Sequence, residues 1–321
     1  MKLVFSFLLV FATLFGRAQQ NVYFLKNNGK YVTAKDSADF IRVVTLPDSG
    51  SVLYNVIEFY KNGVKKTIGK STKIDPPRYL GQVVRFFENG KRASLYQQSD
   101  KGTVGAAYEF YPNGTVYRIL KYPDSVKTDN IFAENYLITA NSDSLGNKLV
   151  VDGRGYYKGF DSKFKYIDEE GRVKNGLRDS IWNGTDKNLK VTFTETYKEG
   201  NLIAGAMIDS AGAKFTYAGT RMTSPKFNGG NRAFGNYLGK NIIYPDLERK
   251  NGIYGVVILQ FVVEKDGRVT DVRVQKSVSP GLDKEASRVI KNSPLWIPGT
   301  RFGKPIRVTY AVPINFLLQD G

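Results

Sequence analysis

Residues 307–318 read RVTYAVPINFLL, with Val308, Tyr310, Val312, Ile314, Phe316 and Leu318 on alternate positions. A period of two puts these six apolar side chains on one face of a strand. Pro313 lies inside the run. Proline has no N–H to give a ladder, which confines it to an edge, a strand end or a bulge. The segment therefore reads as an edge strand, with a bulge at Pro313 that bends the strand as the rival reading, and what precedes it decides the fold around it.

Immediately upstream, LDKEASRVIKN (282–292) places Leu282, Ala286, Val289 and Ile290 on one helical face, with Asp283 positioned to cap the first turn and Pro294 to end the helix. Before it, Val257, Leu259, Phe261 and Val263 alternate, Thr270, Val272 and Val274 alternate, and Asp266-Gly267 falls between the two runs as a hairpin turn. Earlier still, Ala233, Phe234, Tyr237 and Leu238 recur at helical spacing after Gly229-Gly230. The order is helix, strand, strand, helix, strand. That is a small α+β domain, a three-stranded antiparallel sheet covered by helices, over 225–321.

Residues 21–224 have a different grammar. EFYKNG (58–63), RFFENG (85–90) and EFYPNG (109–114) repeat one phrase, ETYKEG (195–200) is a weaker copy, and KNNGK (26–30), DEEGR (168–172) and GLRDSIWNGT (176–185) are degenerate ones. Asn-Gly accepts the positive φ angles of a tight hairpin turn, so each phrase predicts a β-hairpin, and hairpins that cannot bury a face alone must pair side by side. The Tyr and Phe of the phrase are expected to pack, the rival reading being an exposed aromatic stripe that holds a ligand. DSLGN (143–147) and DGRG (152–155) lack the oxygen-ligand spacing of a calcium loop and read as turns.

The first 18 residues, MKLVFSFLLVFATLFGRA, carry a Lys, an apolar stretch and small residues at 16 and 18, the pattern of a secretory signal peptide cleaved before Gln19. An uncleaved anchor is the rival. There is no cysteine and no histidine, which removes disulfides, nucleophile–His arrangements and the usual metal ligands. Asp168, Glu169, Glu170 and Asp179 fall in expected turns without a paired partner. The reading is non-enzymatic, with no catalytic residue, no metal and no cofactor. A net charge of +17 is spread along the chain without basic clusters interleaved with stacking aromatics. Together with export, this argues against nucleic acid and for anionic envelope partners such as lipid or peptidoglycan.

The aromatic-x-Asn-Gly hairpins resemble the repeats of the MORN-like, YwqK-type antitoxin family, which implies a β-rich array of antiparallel hairpins over 19–224. Over 225–321 the chain resembles the C-terminal domain of TonB, the energy transducer of Gram-negative envelopes. Tyr244-Pro245, Gly255 with its strand, Asp266-Gly267-Arg268-Val269, the 282–290 helix, Trp296 with Pro298-Gly299, and Val312-Pro313-Ile314 with Phe316 fall in the family's order. The resemblance implies a periplasmic protein whose last strand pairs with an extended segment of an outer-membrane transporter or other envelope protein. The strand edge would comprise Arg307, Val308, Thr309, Tyr310, Ala311, Val312, Pro313 and Ile314, with secondary contacts at Tyr244, Pro245 and Asp246. Three alternatives stay open: a true transducer whose uncleaved N-terminus meets inner-membrane motor proteins, an envelope scaffold that works through its repeats, and a homodimer paired through the same edge.

Overall fold

A computed structural model describes residues 20–124 and 135–318. The expected signal peptide, residues 1–18, lies outside the described residues. The described residues form two compact units: one of residues 20–124, 135–157 and 173–177, the other of 158–172 and 178–318.

The first unit is an antiparallel meander. Its strands are β1 (Gln20–Leu25), β2 (Tyr31–Val32), β3 (Phe40–Thr45), β4 (Tyr54–Tyr60), β5 (Lys65–Ser71) and β6 (Gly81–Phe86). They continue as β7 (Arg92–Ser99), β8 (Gly102–Phe110), β9 (Val116–Tyr122), β10 (Leu137–Ser142) and β11 (Lys148–Val151), and end within β12 (Arg154–Phe160), whose last three residues belong to the second unit. β1 pairs with β2 and β3, and from β3 each strand pairs with the next as far as β12.

The repeated phrases build the turns, though not as two-residue loops. Tyr60 N–H donates to Val64 O and Gly63 N–H to Tyr60 O, closing a three-residue loop in which Gly63 alone has a positive φ, 81°. Asn62 acts through its side chain. Its Oδ1 accepts from Val64 N at 3.0 Å, and its Nδ2 donates to Glu88 O in the next turn at 3.2 Å. Asn89 and Asn113 repeat both contacts, reaching Pro112 O and Ser144 O. The phrase asparagine thus shapes one turn and ties it to its successor. The two-residue turn occurs instead at Glu199-Gly200, where both φ angles are positive.

The phrase aromatics divide by strand parity. Tyr60 and Tyr111 are hydrogen-bonded through their hydroxyls to Phe86 O and Ser142 O, whereas Phe59, Phe86 and Phe110 are half-buried. The phrase glutamates are structural: Glu58 is buried against Arg42 at 2.9 Å and Glu109 pairs with Arg118 at 3.0 Å. Arg118 also donates to the Tyr157 hydroxyl.

β13 (Ile167–Lys174) and β14 (Leu177–Asp186), which lie mostly in the second unit, replace the turns expected at DEEGR and around Asp179. Asp168, Glu169, Glu170 and Asp179 are strand residues. The local grammar there is alternation, with Gly171 making room for a ring rather than turning the chain. β14 pairs with β15 (Val191–Lys198), β15 with β16 (Asn201–Ile208), and β16 with β17 (Lys214–Tyr217). Glu195, fully buried, receives Arg221 Nε at 2.7 Å, the Tyr217 hydroxyl at 2.8 Å and the Tyr197 hydroxyl at 3.0 Å. Glu169 receives both terminal nitrogens of Arg178, at 2.9 and 2.5 Å, and Arg221 at 3.3 Å. Burial alone would raise the Glu169 carboxyl, but the two guanidiniums hold it down at about 2.

The chain continues through β18 (Met222–Thr223), α1 (Gly230–Asn241), α2 (Asp246–Lys250), β19 (Gly255–Val263), β20 (Val269–Lys276), α3 (Pro280–Lys291), β21 (Thr300–Arg301), β22 (Lys304–Pro305) and β23 (Val308–Phe316). A three-stranded sheet of order β20-β19-β23 packs Val257, Leu259, Phe261, Val263, Val312, Ile314 and Phe316 against Leu282, Ala286 and Ile290 of α3 and the Trp296 ring. Ala233, Phe234, Tyr237 and Leu238 of α1 pack on the same core. Ser279, not Asp283, caps α3: its Oγ accepts from Leu282 N, while Asp283 reaches back to accept from Val278 N. The cap must precede the helix, and Pro280 at the first helical position leaves Ser279 in that place.

The β21–β22 hairpin was not anticipated. Phe302, at φ 52°, is the first residue of its two-residue turn, and the ring enters a cluster of Val191, Phe193, Met207, Phe215 and Tyr217. It stacks on Phe193 at 5.2 Å, and Lys304–Asp209 at 2.7 Å flanks the contact.

Candidate strand-pairing edge

Among the described residues β23 has one ladder partner, β19. Its register with β19 runs from Phe316↔Gly255 to Val308↔Val263 without a shift, so Pro313, opposite Ile258, is not at a bulge. In an antiparallel ladder, alternate residues exchange both backbone hydrogen bonds with the partner while the residues between them direct theirs outward. Pro313 fits the second class, since it has no N–H to give inward. By parity, Thr309, Ala311 and Asn315 then present N–H and C=O at the open edge, and Pro313 presents C=O alone.

The side chains divide in the same way. Val312 and Ile314 are buried, and Val308 and Tyr310 are half-buried. The Tyr310 ring lies 5.9 Å from Trp296 and 6.1 Å from Phe261. These four fix the strand, whereas Thr309, Ala311 and Pro313 are exposed. Arg307 lies just before the strand and is engaged within the domain, with Nε 2.9 Å from Glu264 and Nη2 2.6 Å from Asp271. That pairing raises Arg307 and, after the Thr270 hydrogen bond, helps lower Glu264.

Of Tyr244, Pro245 and Asp246, Tyr244 packs on the far end of β23. The Tyr244 ring meets Phe316 edge-on at 5.8 Å, and burial raises its hydroxyl, which donates to Ile253 O. Pro245 is the cap residue of α2, and Asp246 pairs with Arg249. The same short helix supplies a residue the sequence reading missed. Glu248 is buried and accepts from the Ser279 hydroxyl and Gly281 N–H, each at 2.9 Å, at the first turn of α3. A carboxylate there complements the helix dipole, and its signal, Pro-Asp-Leu-Glu before Asn-Gly, is that of a short capped helix. Glu285 accepts Ile243 N–H, and its hydrogen bond from Arg288 keeps it below the usual carboxylate range. The edge thus rests on a supported strand, and its chemistry is backbone pairing.

Residues 240–318 match the family model described as Gram-negative bacterial TonB protein C-terminal. The match covers α2 to β23 and the end of α1, and leaves β1 to β18 outside it. A search of curated proteins found no match. Among the described residues no helix is long and apolar enough to cross a membrane.

Proposed function

We propose that this chain is a periplasmic binding protein of the Gram-negative envelope that captures an extended segment of an outer-membrane transporter, or of another envelope protein, along the open side of β23. TonB-dependent transport is the process this serves, and the hairpin strands act as a spacer or second docking surface. The unshifted β19–β23 register through Pro313 carries the reading. It leaves a strand with one ladder side unused, and backbone pairing to such an edge gives affinity with modest sequence demands. The match to the TonB C-terminal model supports the class of partner.

A photoreactive residue at Thr309 or Ala311, introduced in the native host, tests it. A specific envelope protein crosslinked there, and not from a control position in the Asp266 turn, is the expected result. Equal labelling from both positions sinks the proposal. Proline at Ala311 removes an outward N–H without touching the β19 ladder, and is expected to weaken capture with little loss of stability.

A further inference from the structure

Seven of the 19 aspartates in the chain are followed by serine, where composition alone gives about one. The pairs begin at 36, 48, 124, 143, 161, 179 and 209, and in five of them the next residue is Ala, Val, Leu or Ile. Ser125 lies outside the described residues. Turn chemistry accounts for the aspartates. Asp143 Oδ1 accepts from Leu145 N and Asn147 N, each at 2.9 Å, and Asp209 Oδ1 accepts from Ala211 N and Ala213 N, each at 3.0 Å.

It does not account for the serines. Asp143 N–H donates to Asn147 O and Gly146 N–H to Asp143 O, which is the loop closure of the phrase turns, and the loop from Asp209 to Ala213 closes in the same way. Ser144 and Ser210 stand where Lys61, Glu88 and Pro112 stand in the phrase turns. A position that takes Lys, Glu and Pro sets no requirement for a hydroxyl. Both serines are exposed, and among the described residues neither hydroxyl makes a hydrogen bond. Ser180 presents the same case from inside β14. Its φ is 60°, a region that favours Gly or Asn. The residue is exposed, and its hydroxyl donates to the Asp179 carboxylate at 2.9 Å. Each of the three serines is followed by an exposed aliphatic residue: Leu145 at 87%, Ile181 at 58%, and Ala211.

The neighbours decide what such a hydroxyl carries. A phosphate would set a second anion beside the aspartate, and like charges there repel. An acyl chain would add apolar surface next to side chains already in water. A neutral glycan does neither. It is bulky and solubilising, which suits a loop tip or an outer face, and the C–H face of a sugar covers the neighbouring Leu or Ile. We propose that Ser144, Ser180 and Ser210 are O-glycosylation sites, read by an envelope glycosyltransferase as an exposed Asp-Ser-aliphatic run. In the transfer, serine Oγ bonds to the anomeric carbon of a diphosphate-activated sugar and the bond from that carbon to the phosphate oxygen breaks. The diphosphate leaves with the electron pair, and the hydroxyl proton passes to a base of the transferase. The modification is independent of strand capture at β23 and shares with that reading only the export of the chain.

The full chain, purified from its native host and digested, is read by mass spectrometry with electron-transfer fragmentation, which leaves O-linked sugars in place. Sugar masses are expected at Ser144, Ser180 and Ser210, with Ser224 and Ser277, exposed but preceded by Thr and Lys, left bare. Ser144→Ala should remove one glycan from the intact mass. Asp143→Asn, which keeps an Oδ1 acceptor for the turn, should do the same while leaving Ser180 and Ser210 modified. The proposal is overturned by three bare serines, by a phosphate or acyl mass on them, or by a glycan on Ser144 that survives Asp143→Asn. The N-terminal peptide of the same digest reports on export separately: bare serines in a chain starting at Gln19 sink glycosylation alone.

Discussion

The Glu248 carboxylate fills the space that a side chain at residue 281 would need: a β-carbon on Gly281 would stand 2.0 Å from Glu248 Oε1. That oxygen is the one bound by Gly281 N–H and the Ser279 hydroxyl. The first turn of α3, the cap and the segment carrying Tyr244 are thus one fitted joint.

Gly281→Ala is expected to eject the carboxylate and to cost about 2–4 kcal/mol, the sum of overpacking and lost charge-assisted hydrogen bonds. Denaturant unfolding measures it. Glu248→Gln, which can keep one acceptor oxygen, should cost less, and an equal loss in the two variants would show that the charge matters more than the fit.

Glu169 supplies a pH dependence. Its carboxyl, held at about 2 against an ordinary 4.5, is protonated more readily in the unfolded chain than in the folded one. The pair's stability is therefore complete above about pH 4.5 and fades as pH falls toward 2, by on the order of 3 kcal/mol in all. Thermal unfolding between pH 6 and pH 2, as rough bounds of that window, should show a steeper loss in the native chain than in Glu169→Gln, which starts lower but declines less. Parallel curves would remove Glu169 from the acid sensitivity.

Tyr79 and Tyr111 separate a ring that packs from one that also bonds. Tyr79 has a buried hydroxyl with no hydrogen-bond partner, and burial raises it well above the ordinary tyrosine range. The Tyr111 hydroxyl, raised by burial to about 12, donates to Ser142 O at 2.9 Å. Tyr79→Phe should hold or raise the melting temperature, whereas Tyr111→Phe should lose about 1 kcal/mol. A clear destabilisation by Tyr79→Phe would show that its hydroxyl is satisfied in solution.

These contrasts mark where the sequence is legible. Alternation in 307–318 and helical spacing in 282–290 are local periodicities, and local geometry follows from them, so β23, α3 and the sheet around Leu259 could be read before any coordinates. The Glu58–Arg42 and Glu195–Arg221 pairs could not, because a glutamate within a hairpin phrase looks like a solvent residue until a distant arginine is brought across the ladder. DEEGR misled for a related reason. Gly171 there accommodates the Trp182 indole, since a β-carbon at 171 would come within 2.3 Å of the ring, and a glycine that makes room for a ring looks in sequence like one that turns a chain. Pro313 was legible as an edge residue, but only the register with Ile258 distinguishes an outward proline from a bulge.

Phe302 gives a prediction about coupling within the second unit. Its ring lies against Phe193 and Tyr217, and Phe302 N–H donates to Arg221 O at 2.6 Å, beside the buried Glu195 network. Phe302→Ala keeps the backbone donor and the hairpin but removes the ring, at a cost of about 3–5 kcal/mol if the cavity does not collapse. Hydrogen exchange should then quicken at Phe215–Tyr217 and Thr300–Arg301 while the β19–β23 amides keep their protection, because the core around Leu259 and Ile314 does not include this ring. Equal acceleration along β23 would mean that the small hairpin and the pairing strand open together, making the Phe302 contact a determinant of how the edge is held.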